Sequence, residues 1–367
     1  MGASAEASGR ARFATIAQSR AIIGGGMLSD RQERTRLRRK WVETLAANYG
    51  LDVQSETSAS SDASFRSYWR YAGRGKTYVV MDAPPPQEDV RPFVKVTGLM
   101  QKAGCRVANI HEADVDAGFL LLEDLGTKTY LDVLDEDNAL ELMTGAVDAL
   151  VAWQLSSEKG VLPPYDRQRL LAEMQLYPDW YVERHKKAKL SEKDARTLRE
   201  AFEAIARENL AMPSVFVHRD FMPRNLMATG TAQPAIIDYQ DALYGPIAYD
   251  IASLMRDAFL SWPESFVIDI TVRYWERAKK AGLPVPEDFG TFFRAVEVMG
   301  LQRHLKVLGI FARINYRDGK PKYLQDAPRF LGYVRHTCSR YAGFGALLRL
   351  VDAIEDKPEA FFYSYER

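Results

Sequence analysis

Three side chains at set spacing constrain this chain more than anything else in it. Asp220 and Asn225 lie five residues apart within His218-Arg219-Asp220-Phe221-Met222-Pro223-Arg224-Asn225, and Asp238 follows Asn225 by thirteen residues, closing the apolar run Ile236-Ile237. Val215-Phe216-Val217 reads as a short strand leading into this segment. Ala235-Ile236-Ile237 reads as another, separated from Leu226-Met227 by a turn at Ala228-Thr229-Gly230. That hairpin brings Asn225 and Asp238 to the same end of two neighbouring strands. Any fold built on it holds a loop carrying Asp220 beside a carboxamide and a second carboxylate.

The spacing matches the H-R-D-x-x-x-x-N pattern with a downstream metal aspartate, which serves phosphoryl transfer. A transferring phosphoryl group gathers negative charge, so the protein's task is positioning and electrostatics. Asp220 would orient an acceptor hydroxyl and take its proton. Asn225 and Asp238 would hold the Mg²⁺ ions that bridge the phosphates of ATP. An H-R-D triplet alone arises by chance in surface loops. Asn225 in register and Asp238 at the end of a buried strand are what distinguish this one.

The rest of the chain divides into two regimes. Ser29 and Gln32 form a capping box ahead of Leu37, Trp41, Leu45 and Tyr49, which recur every fourth residue until Gly50. The other face of that helix, with Arg34, Arg38 and Arg39, reads as solvated. Phe65 to Tyr71 alternates as a half-buried strand, Gly73-Arg74-Gly75 turns, and Thr77 to Met81 returns. Phe93, Val96, Leu99 and Met100 mark a short helix closed by Gly104, and Gly118 to Leu122 is a third strand. From Leu131 the pattern is helical, with further helices over roughly 195–210, 246–259, 263–281 and 292–314. A small sheet region followed by a helical region is an α+β layout. The expected division is a flexible tail over 1–28, an N-terminal nucleotide-binding lobe over 29–123 and a helical catalytic and substrate lobe over 124–367.

Composition excludes several function classes. Lysine plus arginine equals aspartate plus glutamate at 49 each, so no whole-protein field favours nucleic acid or a membrane surface. Two distant cysteines, Cys105 and Cys338, make no disulfide framework, and a reduced cytoplasmic compartment fits. No apolar run approaches the ~18 residues of a transmembrane helix. The first 26 residues, with Arg10, Arg12 and Arg20 against Glu6, have the composition of a targeting segment. A floppy tail, or a start ahead of Met27, is the blander reading, and Gly24-Gly25-Gly26 looks like a linker.

Other segments carry weaker signals. Gly73-Arg74-Gly75-Lys76-Thr77 is a near miss to a P-loop, but Arg70 stands where glycine is required and a strand, not a helix, follows. Ser58 to Ser64, small and polar, is a candidate phosphate-covering loop, with Ser64 as its nucleotide contact, or an ordinary surface loop. Glu123-Asp124-Leu125-Gly126 joins the two regimes. Its backbone at Glu123 and Leu125 would bind adenine as a hinge, or it is a plain linker. Asp250, after the turn Gly245-Pro246, would accept hydrogen bonds from the catalytic loop as structural support, alongside His218. Residues 290–340 hold ten Lys or Arg against three Asp or Glu. Arg303 and Lys306 there read either as a solvated helix face near Arg313 or as contacts to an anionic or neutral polar substrate. His218 has no Cys or His neighbour at zinc spacing, and His185, His304 and His336 read as packing or surface residues.

On these residues the chain resembles the aminoglycoside phosphotransferase-type kinases, a branch of the protein-kinase-like fold. It is most similar to the anomeric N-acetylmuramate/N-acetylglucosamine kinases of bacterial cell-wall recycling. The stretches that carry the likeness are Asp62-Ala63-Ser64-Phe65-Arg66, Val80-Met81-Asp82-Ala83-Pro84, Phe119 to Gly126, Val217 to Met227, Ile236 to Asp241 and Gly300 to Arg313. The resemblance implies a bilobal fold and transfer of the ATP γ-phosphate to the C1 hydroxyl of an N-acetylated amino sugar; a monomer with a small-molecule substrate and no nucleic-acid or membrane partner is expected. Protein kinases also place a lysine mid-strand to hold the α/β-phosphates. Tyr78-Val79-Val80-Met81 has none, and Arg70 or Lys76 would substitute, Arg70 being favoured. Two rivals stay open: another small-molecule kinase of the same superfamily, acting on an aminoglycoside-, choline- or homoserine-type acceptor, and a catalytically dead pseudokinase serving as a binding module.

Overall fold

The protein was analysed as a computed structural model, which describes residues 31–61, 65–257 and 259–355. The expected tail over 1–28, Ser29 of the capping box and Ser64 lie outside the described residues. Two units are defined by their internal packing. One takes the chain through Arg91 and again over Asn109–Asp124; the other takes Pro92–Ala108 and the chain from Leu125 onward.

The first unit is an antiparallel sheet with one helix against it. Helix α1 covers residues 31–49. Strands β1 (Thr57–Ser61), β2 (Ser67–Gly73), β3 (Lys76–Asp82), β4 (Ile110–Asp114) and β5 (Phe119–Glu123) lie in the order β1-β2-β3-β5-β4. Val42 of α1 is buried against Tyr71, Tyr78, Val80 and Leu121 of the sheet, with Trp41, Leu45 and Tyr49 packed around them. Leu37, expected on that face, is 39% exposed.

Of the three α1 arginines expected to be solvated, Arg39 is exposed, but Arg34 and Arg38 are not. Arg38 is buried, and its Nη1 donates to Asp82 Oδ2 at 2.8 Å while Arg34 Nε donates to Asp82 Oδ1 at 2.7 Å. Arg39 Nη2 donates to Glu56 at 3.0 Å. Asp82, in the segment Met81-Asp82-Ala83-Pro84, is itself buried, and a buried carboxylate requires such partners. Planar guanidinium groups also cover aromatic faces here, Arg34 over Phe119 at 4.0 Å and Arg38 over Trp69 at 3.9 Å.

Two strands of this unit escape sequence reading, as does β9 (Leu243–Pro246) of the other, where a turn and the start of a helix were expected. The serine-rich stretch taken for a phosphate-covering loop is, over 57–61, the strand β1 paired with β2. Strand β4 pairs with β5 despite carrying His111, Glu112 and Asp114.

The second unit is mostly helical. Helix α2 (Arg91–Lys102) packs with this unit from Pro92 onward, although the expectation placed it with the sheet. Its buried Phe93 stacks on Tyr239 at 4.9 Å, and Thr97 shares a 2.8 Å hydrogen bond with the Tyr239 hydroxyl. Then come α3 (Tyr130–Val133), α4 (Ala139–Leu155), α5 (Arg167–Met174), a π-helix over Tyr177–His185 and α6 (Glu192–Leu210). Strands β6 (Ser214–Val217), β7 (Leu226–Met227), β8 (Ala235–Ile236) and β9 (Leu243–Pro246) form two small antiparallel pairs, β6 with β9 and β7 with β8. Helices α7 (Tyr249–Met255), α8 (Glu264–Lys280), α9 (Phe289–Asp318), α10 (Ala327–Arg340) and α11 (Gly345–Glu355) complete it. The long helix α9 is the unit's spine, buried from Phe292 through Ala312 at most positions. A close approach sets its height: a Cβ added at Gly309 would lie 2.3 Å from the Leu176 carbonyl carbon at the start of the π-helix. No helix among the described residues is long and apolar enough to cross a membrane.

Candidate active site

The H-R-D segment bridges the two strand pairs. β6 ends at Val217, the loop runs through Asp220, a short 3-10 turn covers Pro223–Asn225, and β7 begins at Leu226. The pairing Leu226↔Ile236 brings Asn225 and Ile237 side by side, and the Ile237 N–H donates to the Asn225 carbonyl at 3.0 Å. Asn225 and Asp238 therefore stand at one end of the β7–β8 hairpin, as the spacing predicts. The Asn225 amide nitrogen donates to the Asp220 carbonyl at 2.9 Å, which leaves its side-chain oxygen as the remaining acceptor. Asp238 sits in the left-handed region at φ +63° and accepts from Gln240 Nε2 at 2.9 Å. Two hard oxygen donors on neighbouring strand ends fit a Mg²⁺ ion.

The loop is braced from behind. Asp250, buried at the start of α7, accepts from the His218 N–H at 2.7 Å and from the Arg219 N–H at 3.0 Å. Burial raises the Asp250 carboxyl above the usual range, against the pull of His218 and these two amides. His218 Nδ1 accepts from the Asp220 N–H at 3.3 Å, so Nε2 carries the proton and donates to the Ile237 carbonyl at 3.0 Å. Burial holds His218 below its ordinary pKa, against the pull of Asp250 and Asp220. His218 and Asp250 thus both contact the loop from its buried side.

Arg303 and Lys306, on α9, reach the same loop. Both are buried at 7% exposure, so the solvated-face alternative is excluded. Arg303 Nη1 donates to the Arg219 carbonyl, and its Nη2 lies 4.0 Å from Asp220 Oδ1. The Arg303 guanidinium stacks over the Tyr249 ring at 4.7 Å. Lys306 Nζ lies 3.2 Å from the Tyr249 hydroxyl and 3.5 Å from Glu173 Oε1. Burial alone would raise the Asp220 carboxyl, but Lys306, Arg303 and Arg219 together outweigh it and hold the group below the usual carboxylate range. Its side chain keeps 39% of its surface open, so the charged oxygens can meet a substrate.

The arrangement sets a partly open carboxylate and two further side-chain oxygens beside fixed positive charge. A match to the phosphotransferase enzyme family over residues 55–287 covers more than half of the chain. The chain belongs to the phosphotransferase enzyme family. It is 51% identical over 302 residues to the N-acetylmuramate/N-acetylglucosamine kinase of Pseudomonas aeruginosa, covering 82% of this chain and 89% of that relative. It is 44% identical over 318 residues to the protein of the same name from Neisseria meningitidis serogroup B, covering 85% and 93%. Among solved structures, a choline kinase from Streptococcus pneumoniae matches at TM-score 0.55 and 13% identity, over 83% of this chain and all of that one. The GDP complex of an aminoglycoside 2′-phosphotransferase matches at TM-score 0.55 and 13% identity, over 82% and 99%. These likenesses establish the bilobal α+β, protein-kinase-like fold. As a member of this family the chain is a phosphotransferase enzyme.

The expected nucleotide contacts lie elsewhere in the chain. Arg70, on β2, forms a two-pronged pair with Asp124, at 2.5 Å and 3.0 Å, and Thr77 also donates to Asp124 at 2.6 Å. A phosphate role for Arg70 requires it to leave this pair. The Glu123 carboxylate accepts from Asn109 Nδ2 at 2.8 Å and from its backbone N–H at 3.2 Å. Leu125 is partly exposed at the first position of the helical unit.

Sequence reading missed Glu173, Tyr165 and Tyr249. Glu173 Oε1 accepts from Arg219 Nη2 at 2.5 Å, and its other oxygen accepts from Gln302 Nε2 at 3.0 Å and from the Tyr165 hydroxyl. Burial pushes the Glu173 carboxyl up, but Lys306 and Arg219 reverse that and hold it at about 2. Nothing in Arg-Leu-Leu-Ala-Glu-Met signals the role, because every charged partner is remote in sequence.

His336, expected to be isolated, joins Glu264 and Glu297 in a group of metal-ligating type. Arg340 already supplies the positive charge there, pairing with both carboxylates and donating to His336 Nε2 at 2.8 Å.

Proposed function

We propose that this enzyme transfers the γ-phosphate of ATP to the C1 hydroxyl of N-acetylmuramate or N-acetylglucosamine. The observation that carries this reading is the identity of about half its residues, across most of both chains, with relatives of that name. The hydroxyl would hydrogen-bond to the Asp220 carboxylate. As its oxygen forms the bond to phosphorus, the bond from phosphorus to the β–γ bridging oxygen breaks, ADP departs, and the proton passes to Asp220. An anomeric hydroxyl is more acidic than an ordinary alcohol, so a carboxylate held below the usual range is still an adequate base. Asn225 and Asp238 would hold Mg²⁺, which when bound neutralises charge on the phosphates. Nucleotide contacts at Ser64, Arg70, Glu123 and Leu125 belong to the same proposal.

Arg303 and Lys306 bear on the choice of sugar. Positive charge beside the base disfavours cationic acceptors and suits the lactyl carboxylate of N-acetylmuramate. Arg303→Ala combined with Lys306→Ala is expected to cost more on N-acetylmuramate than on N-acetylglucosamine, and equal losses would refute the assignment. The reaction itself is tested by incubating the protein with ATP, Mg²⁺ and each sugar and locating the phosphorylated carbon by NMR. Phosphate on any carbon but C1, or on neither sugar, removes the proposal.

A further inference from the structure

Arg219 is an arginine in the left-handed backbone region, at φ +81°. A long side chain seldom adopts that conformation, and it persists only where the surroundings over-determine it. Here the residue is held at three points. Its N–H donates to Asp250 Oδ1, its carbonyl accepts from Arg303, and its guanidinium donates to Glu173 Oε1. The next residue is Asp220, so the twist at Arg219 sets where that carboxylate points.

Glu173 is the anchor of this clamp. It sits on α5, binds Arg219 of the loop, and lies 3.5 Å from Lys306 of α9. Gln302 of α9 donates to its second oxygen at 3.0 Å. Tyr165 donates to Glu173, and the Tyr165 and Tyr249 hydroxyls are 3.4 Å apart. One carboxylate thus joins α5, the loop and α9, and balances two cations that would otherwise compete for Asp220. Both of its oxygens are already taken, by Arg219 and Lys306 on one side and by Gln302 and Tyr165 on the other. We propose that Glu173 is a positioning residue, which acts through Arg219 to hold the loop in the shape that presents Asp220 to the acceptor. The inference deepens the proposed kinase reading and rests on it for its kinetic arm.

Two readouts test it. Amide hydrogen exchange is followed in wild type, Glu173→Gln and Glu173→Asp. With Glu173→Gln, exchange over 218–220 is expected to quicken about tenfold while 214–217 in β6 keep their protection, because only the loop opens. Glu173→Asp, which retains the charge, is expected to restore most of it. Unchanged exchange over 218–220, or uniform quickening across both segments, overturns the proposal. If Glu173→Gln does not fold, the same comparison is read from Arg219→Gln, which breaks the same contact, against wild type.

The second readout is kinetic. Turnover is expected to fall roughly tenfold to a hundredfold in Glu173→Gln with the KM for ATP unchanged. Arg219→Gln added to Glu173→Gln is expected to cost little more, since both act through one contact. Full additivity, or turnover within twofold of wild type, overturns the proposal. Should wild type phosphorylate neither sugar, the functional reading fails, and the exchange data still decide the role of Glu173.

Discussion

Asp220 stays charged among Arg219, Arg303 and Lys306 and is open enough to meet a hydroxyl, the two properties a base needs. Asp220→Asn keeps the shape and removes the proposed proton acceptor. Its turnover is expected to fall about 10²–10⁴-fold, with ATP affinity by calorimetry nearly unchanged. Near-normal turnover would remove Asp220 from the mechanism. Asp238→Ala is expected to weaken ATP binding only when Mg²⁺ is present, and equal weakening in chelator would point to misfolding. Asp220, Asn225 and Asp238 were legible because their relation is local: a loop of five residues and a hairpin of thirteen. Glu173 was not legible, since its partners lie between 8 and 133 residues away in sequence and meet it only after α5 and α9 pack.

The elements place these residues through a few close approaches. Gly309→Ala would drive a methyl group against the Leu176 backbone at 2.3 Å, and backbone cannot rotate away as a side chain can. The substitution is expected to cost about 1–3 kcal/mol in denaturant melts, with α9 shifted and turnover lowered too. A melting curve unchanged from wild type would show that α9 and the π-helix can separate freely. Periodicity revealed α1, α2, α6 and α8 because each buries one stripe, and it found α9 from its apolar row although that helix is buried on nearly every side. It failed for β1 and β4, whose polar residues are carried by pairing with better strands. It also misjudged Arg34 and Arg38, because a charged residue on a helix reads as solvated unless its buried partner is known. That partner, Asp82, lies 44 residues beyond Arg38.

Over the whole chain, equal totals of acid and base hide local order, since several cations are matched to carboxylates in the interior. This ties stability to pH. Glu173 titrates at about 2 in the folded chain against an ordinary value of 4.5. A depressed carboxyl stabilises the fold above its unfolded pKa, and that contribution, on the order of 3 kcal/mol, is lost as pH falls from about 4.5 towards 2. Denaturant melts at stepped pH are expected to show the loss in wild type and a flatter slope in Glu173→Gln. Equal slopes would mean that Glu173 is not charge-coupled to the fold. The layout of a small sheet and a helical remainder was legible from the change of pattern near residue 125. The allegiance of α2 to the helical unit was not, because it depends on Tyr239. One further consequence follows from the strand order, which ends on the sequence Thr-Ser-Ala-Ser-Ser, its register slipping between Ser58 and Ser60. A rim so poor in apolar residues, and kinked as well, gives a second molecule little reason to stack onto it.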